Sequence, residues 1–299
     1  MTSGALLGEG SCLCAASTWA LTVAAFRRPI QDFGSRTINL AKCAIASVLF
    51  LVTILALGKG GALTAAPFHD VTFVALSGLV GLTAGDSALF AAVHRLGPYR
   101  ALLLQTLAPV FTALFALAWQ REIPSATHLA GMALTLLGVA LVVAPRAGTK
   151  EKIERSRRTA GIVFGILAAV GQGGGIVLAK AGMGSLPPLH ASFVRVGTAA
   201  VGLVLLGVLD GSLNRARDLA RTPPSLGRVV PAAILGSYVG IFLMMFGVGH
   251  APAAVAAVLL STTPVFSLFL DVARGRERFT LRAVAGTLLA VAGVGVLTR

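Results

Sequence analysis

The sequence predicts an all-α membrane protein, with ten transmembrane helices arranged as two inverted five-helix repeats. Three observations lead there. Of the 299 residues, 56% are apolar and only 12% charged, about half the charge that coats a typical water-soluble domain. Ten apolar runs approach the roughly 20 residues that a helix needs to cross a bilayer. The second half also repeats the first: Pro264, Glu277, Gly286 and Gly293 follow Pro109, Glu122, Gly131 and Gly138, each by 155 residues. A period of that length marks a duplicated structural unit, and a functional site is expected between the two copies.

The apolar runs, numbered 1 to 10, lie at 4–26, 38–58, 71–93, 98–119, 127–144, 160–180, 189–209, 229–249, 252–271 and 280–298. Turn signals separate them: Arg28-Pro29, Gly58 to Pro67, Gly97-Pro98, Pro124, Pro145, Pro187-Pro188, Pro223-Pro224 and Ala251-Pro252. Run 1 lacks a basic leader and outlasts a signal core, so it reads as a spanning helix. The longest polar interruption divides the chain into a first repeat (1–145), a basic connecting loop (146–159) and a second repeat (160–299). Five runs per copy is an odd number, which forces the second copy to thread the membrane in the opposite sense. Inversion of this kind gives a pseudo-two-fold axis in the membrane plane and a shared cavity near its middle, a geometry suited to alternating access.

The net charge of +14 would ordinarily suggest nucleic acid, but the basic residues sit in short loops rather than along one face, so nucleic acid is set aside as a partner. Loops after runs 1, 3, 5, 7 and 9 hold 19 Lys and Arg, and the other face holds four: Lys59, Arg121, Lys180 and Arg299. By the positive-inside rule the loop at 145–159 is cytoplasmic and both termini lie outside, in a multi-pass protein of a bacterial-type inner membrane. Cys12, Cys14 and Cys43 read as small buried side chains. His69, His94, His128 and His250 have no metal spacing, and neither a metal nor a cofactor is expected. Clustered acids, a Ser-His or Cys-His pair and a His-Glu-x-x-His helix are lacking, which argues against an intramembrane enzyme. A Gly-x-x-x-x-Gly-Lys loop is lacking too, which argues against nucleotide-driven work.

Two stretches, LAPVFTALFALAWQREIPSATHLAGMALTLLGVALV and TTPVFSLFLDVARGRERFTLRAVAGTLLAVAGVGVL, share Pro-Val-Phe, an acid 13 positions after the proline, and a glycine-rich final helix. In these motifs, and in its ten runs from Trp19 onward, the chain resembles the drug/metabolite transporter superfamily, specifically the EamA-type proteins with two five-helix repeats. The resemblance implies a secondary transporter of small organic solutes, commonly an exporter of amino acids or other metabolites, with its cavity lined by runs 1, 3, 4, 6, 8 and 9. Members commonly keep their termini cytoplasmic; the charge bias of this chain points the other way. A structural or assembly partner of another membrane protein is the competing class.

Ionisable groups inside a membrane are costly unless paired or hydrated, so they are the first candidates for a solute path. Counting residues from the helix ends puts Lys42, Asp86 and Gln105 in the basic-side leaflet. There they could hold a zwitterionic solute or exchange a proton, or Lys42 and Asp86 could be a structural pin. Glu9 and Arg195 count into the opposite leaflet and are candidates for a gate; the plainer alternative is an interfacial Glu9 and a snorkelling Arg195. Trp19, Gln172 and Tyr238 count to the middle and could enclose an apolar or cationic solute. Gly173 to Gly175 are either a packing seam or a soft spot beside the solute. Pro109 and Pro264 should kink runs 4 and 9 and could serve as hinges, with Ser261, Thr262 and Thr263 bonding the carbonyls they free. The solute is expected to be a small molecule, and the protein a monomer or homodimer in lipid.

Overall fold

The computed structural model describes residues 3–61, 65–120, 126–143, 152–184, 186–250, 259–275 and 280–297. Arg121, Glu122, Pro124, Pro145, Pro252, Arg276 and Glu277 lie outside these residues. Among the described residues the chain is helical almost throughout and has no strand. The helices are α1 (Ser3–Phe33), α2 (Ser35–Ala56), α3 (Phe68–Leu96), α4 (Pro98–Gln105), α5 (Ala108–Gln120), α6 (Ala126–Val143), α7 (Lys152–Gly182), α8 (Pro188–Asp210), α9 (Ser212–Ala220), α10 (Pro223–Ala233, Ile234–Val239 and Gly240–His250), α11 (Thr263–Ala273) and α12 (Leu281–Leu297). Each of the ten runs contains a helix. Six, at Leu6–Phe33, Ser35–Ala56, Phe68–Leu96, Arg155–Gly182, Pro188–Asp210 and Pro223–Gly247, are long and apolar enough to cross a membrane, and shorter apolar helices accompany them.

Helix ends follow local chemistry. α3 stops at Gly97, whose φ of 85° is a left-handed value that disfavours side chains, as is the 87° of Gly34 between α1 and α2, and Pro98 opens α4 with its fixed φ. Lys152 to Thr159, expected in the connector, form the first turns of α7. One helix was not anticipated: α9 follows Gly211 and lays its Arg215 and Arg217 at the bundle end.

The two halves are related by inversion, and side-chain contacts between equivalent helices show it. Arg36 at the start of α2 pairs with Asp210 at the end of α8, while the carbonyl of Lys59, just past α2, accepts from His190 Nε2 at the start of α8 (2.9 Å). α2 and α8 therefore run antiparallel, although they occupy the same place in their repeats. So do α6 and α12, which meet through glycines: Gly286 abuts Leu141 and Val142, and Gly293 abuts Gly131 and Thr135. Packing elsewhere obeys the same exchange, since α1 lies on α10 as α7 lies on α3.

Described residues of all five basic loops gather at one end. Arg36 reaches Asp210, Arg157 donates to the His94 carbonyl, and Arg282 donates to the Leu141 carbonyl. Arg27, Arg28, Arg228 and Arg274 line one groove on that end. The flanks of the bundle are apolar and exposed, as at Val48, Val52 and Leu55 on α2 and Val201, Leu205 and Leu209 on α8, which suits a lipid surround. Cys12 and Cys43 are buried, but Cys14 is exposed, because it lies two residues from Cys12 and so faces away from the core.

Candidate functional site

Two kinds of irregularity recur at equivalent places in the repeats. Residues Gly78–Asp86 of α3 and Ile234–Val239 of α10 are π-helical. Moved back by the repeat offset, the second segment falls on residues 79–84, inside the first. A π segment leaves the backbone wider and poorly matched to its neighbours, and such segments concentrate at functional sites. In each, a side chain from a neighbouring helix bonds a carbonyl: Asn39 Nδ2 to Leu82 (2.8 Å), and Trp19 Nε1 to Gly236 (3.0 Å).

The second irregularity is a break. Instead of the kinks expected at Pro109 and Pro264, the helices stop at Thr106-Leu107 and Ser261-Thr262 and restart with the proline in the first turn. These dipeptides are also related by the repeat offset. Proline brings no N–H and clashes with the carbonyl four residues back, so the turn before it is released. Thr263 Oγ1 bonds Leu260 O (2.7 Å), the carbonyl four residues before Pro264, while Thr106 Oγ1 and Thr262 Oγ1 add a second bond to Leu103 O (2.7 Å) and Leu259 O (2.6 Å), which also accept the backbone N–H of the same two residues.

Between these features lies a cavity of about 170 Å³. Its walls include Trp19 of α1, Lys42 of α2, Asp86 of α3, Gln105 and Thr106 beside Pro109, Gln172 of α7, Arg195 of α8, Ser237 of α10, and Ser261 and Pro264. Much of the remaining surface is apolar, as at Phe26, Leu89, Phe90 and Met244. Few precise polar groups in a mostly apolar hollow is the usual make-up of a small-molecule site, and this one is smaller than the roughly 300–1,000 Å³ typical of such sites.

Asp86 is the hub of the polar wall. Its Oδ2 accepts from Lys42 Nζ at 2.5 Å and its Oδ1 from Gln172 Nε2 at 3.1 Å. Asp86 is only 7% exposed and Lys42 4%, so water screens the pair little. The Lys42 ammonium also lies 5.5 Å from the centre of the Phe90 ring. Gln105 shares the cavity but stands outside this hydrogen-bonded triad, where Gln172 takes the third place. Glycine makes the approach of α7 possible. A Cβ on Gly175 would stand 2.8 Å from Gly81 Cα, and one on Gly171 the same distance from Gly85 Cα. Two Gly-x-x-x-Gly faces thus pack antiparallel, a close helix contact suited to lipid. Gly173 packs against Ala108 and Phe111, so the glycines around Gln172 are a seam.

Counting from the helix ends separates Arg195 from the cavity and does not tell which way Glu9 and Tyr238 face. Arg195 was placed with Glu9 in the leaflet away from Asp86, but its guanidinium lines the cavity and its charge interacts with Asp86. Backbone depth fixes a Cα, and an arginine side chain then reaches several ångströms further. Room for it comes from Gly81, where a Cβ would lie 2.9 Å from Arg195 Nη2. Glu9 is half-buried on α1 and is not part of the lining. Tyr238 points away: its hydroxyl shares a 2.7 Å hydrogen bond with Thr53 Oγ1 and its ring packs on Phe50, 4.7 Å between centres.

Asn39 and Asp271 are among the buried polar residues that the sequence reading does not single out. Asn39 braces the π segment of α3. Asp271, 2% exposed on α11, accepts from the Tyr99 amide at the start of α4 (3.3 Å), where a carboxylate complements the helix dipole. An acid near the end of an apolar run was signal enough to find Asp271. Among the described residues no group of His, Cys, Asp and Glu could hold a metal ion.

Inverted repeats that enclose a mostly apolar cavity with a few charged groups, between interrupted helices, define a membrane carrier. Residues 6–144 and 159–299 each match the family model of the EamA-like transporter family, so the chain belongs to that family, within the drug/metabolite transporter superfamily, and is a transporter rather than an enzyme. An uncharacterized transporter of Archaeoglobus fulgidus is 24% identical over 285 residues, 95% of each chain. Protein LicB of Haemophilus influenzae is 31% identical over 145 residues, 48% of each chain, so the match spans about half of that relative. A probable terminal-alkyne amino-acid exporter of Streptantibioticus cattleyicolor is 28% identical over 120 residues, 38% of this chain and 39% of the exporter. A protein crystal structure with 19% identity superposes with a TM-score of 0.65 over 98% of this chain and 96% of that one, which shows the fold.

Proposed function

We propose that the protein is a secondary transporter that exports small organic metabolites such as amino acids, by alternating access around the cavity between its repeats. The observation that carries this reading is the Lys42–Asp86–Gln172 triad facing a small, mostly apolar hollow flanked by π segments and helix breaks at repeat-equivalent positions. Buried charges of this kind are costly in lipid and are kept where a solute needs them. Trp19 and Gln105 contribute contact surface and an amide to the solute. The breaks at Pro109 and Pro264 act as hinges: a helix without its regular hydrogen bonds there bends at lower cost, and its equivalent in the other repeat bends for the opposite face. The basic end faces the cytoplasm of a bacterial-type inner membrane, leaving both termini outside. Support for export of amino acids comes from the name of the partial relative from Streptantibioticus cattleyicolor.

Purified protein in liposomes, loaded with a mixture of unlabelled amino acids and organic acids, tests this by uptake of one labelled compound at a time. Exchange that saturates and is lost in Asp86→Asn supports the reading. Exchange equal to that of protein-free liposomes for every compound overturns it.

A further inference from the structure

Among the described residues, three charged side chains line the cavity: Lys42, Asp86 and Arg195. Asp86 spends both oxygens on Lys42 and Gln172, which leaves the site with one uncompensated positive charge. That charge sits on Arg195, 3% exposed. Its guanidinium makes no hydrogen bond among the described residues, and its Nε is fully enclosed without an acceptor. An arginine so buried is expensive unless an anion meets it, and its planar fork of donors matches a carboxylate in two parallel hydrogen bonds. Gln105, also without a side-chain hydrogen bond among the described residues, faces the same hollow. Phe26, Phe90 and Leu102 supply apolar wall to the same hollow.

Building on the transport reading, we propose that Arg195 anchors a carboxylate of the solute, whose apolar body lies against the Phe26 and Phe90 wall. Charge balance then ranks solutes of equal shape. A monoanion neutralises the site; a zwitterionic amino acid pairs its carboxylate with Arg195 but leaves the net charge of the site unchanged and brings an ammonium with it; neutral or cationic analogues leave Arg195 unmet.

The test compares matched head groups by the thermal stabilisation each gives the full chain in detergent at constant chloride: butyrate, hexanoate and octanoate, their amides, their amine counterparts, and leucine. At least one acid is expected to stabilise saturably, with an affinity about tenfold or more above its amide, leucine falling between acid and amine. Arg195→Gln should bring the acid down to the amide level, and Arg195→Lys should retain part of the preference. Equal affinities for an acid and its amide, or no saturable effect of any acid, would overturn the proposal on wild-type protein alone, whatever the variants do. Uptake of the same compounds into liposomes separates the two readings. Preferential binding of acids without any exchange leaves the anion site standing and sinks transport, whereas exchange indifferent to head-group charge does the reverse.

Discussion

Breaking the Lys42–Asp86 pair is the most informative single perturbation, because its magnitude can be worked from the geometry. The two groups are 2.5 Å apart, with side chains 6% and 10% exposed. At an effective dielectric of about 20, unit charges whose centres lie about 3 Å apart attract by roughly 5 kcal/mol. Much of this is offset by desolvation, so the intact pair contributes little net stability, whereas a lone survivor is costly. Asp86→Asn keeps an oxygen for Gln172 but removes the charge, leaving Lys42 buried and unmatched, and should destabilise by about 3–5 kcal/mol. Lys42→Met should cost a similar amount by stranding the carboxylate. The double variant should be more stable than either single one, with a coupling energy of at least about 2 kcal/mol in a double-mutant cycle read by equilibrium unfolding in mixed micelles. Costs that add to within about 0.5 kcal/mol would refute the claim that the two charges depend on one another. The same double variant separates stability from transport: it should fold and yet fail to exchange solute. Full exchange would reduce the pair to a structural pin between α2 and α3.

Other perturbations read the packing, the hinges and the orientation. Gly175→Leu must push α7 away from Gly81 and should cost about 1–3 kcal/mol or more, whereas Gly227→Ala, with nothing within 4 Å of the added carbon, should change the unfolding midpoint little. Pro109→Ala and Pro264→Ala restore a backbone donor at each break; each should slow exchange several-fold while leaving solute binding intact, and unchanged rates in both would remove the hinges. Reporter fusions at the two ends of the chain should both report from outside the cytoplasm, and a cytoplasmic signal from either would reverse the assignment of the basic face.

The duplication and its inversion were legible because they depend on quantities that a sequence carries openly: a constant offset between Pro109 and Pro264, and an odd number of apolar runs per copy. Asp86, Lys42 and Gln172 were legible for a related reason, since polar groups stand out in an apolar background. What stayed hidden depended on three dimensions. The π segments have no residue signature, as their extra residue is accommodated by tertiary contacts such as Asn39 with Leu82. Helical counting gives depth but not azimuth, so Tyr238, level with the cavity, turned out to face Thr53 on α2. Counting also ignores reach, and therefore separated Arg195 from Asp86 by a leaflet. The prolines announce a disturbance, but whether a helix kinks or stops depends on the surrounding packing and on hydroxyls such as that of Thr263, which bonds the carbonyl Pro264 releases.

The central claim is that one chamber between the repeats opens in turn to the two sides of the membrane. Ser237→Cys places a thiol on its wall, in protein whose Cys12, Cys14 and Cys43 have been replaced. Labelling by a membrane-impermeant thiol reagent, applied separately to each face of sealed vesicles, should succeed from both, and a transported solute should slow both. Labelling confined to one face, with or without solute, would contradict alternating access.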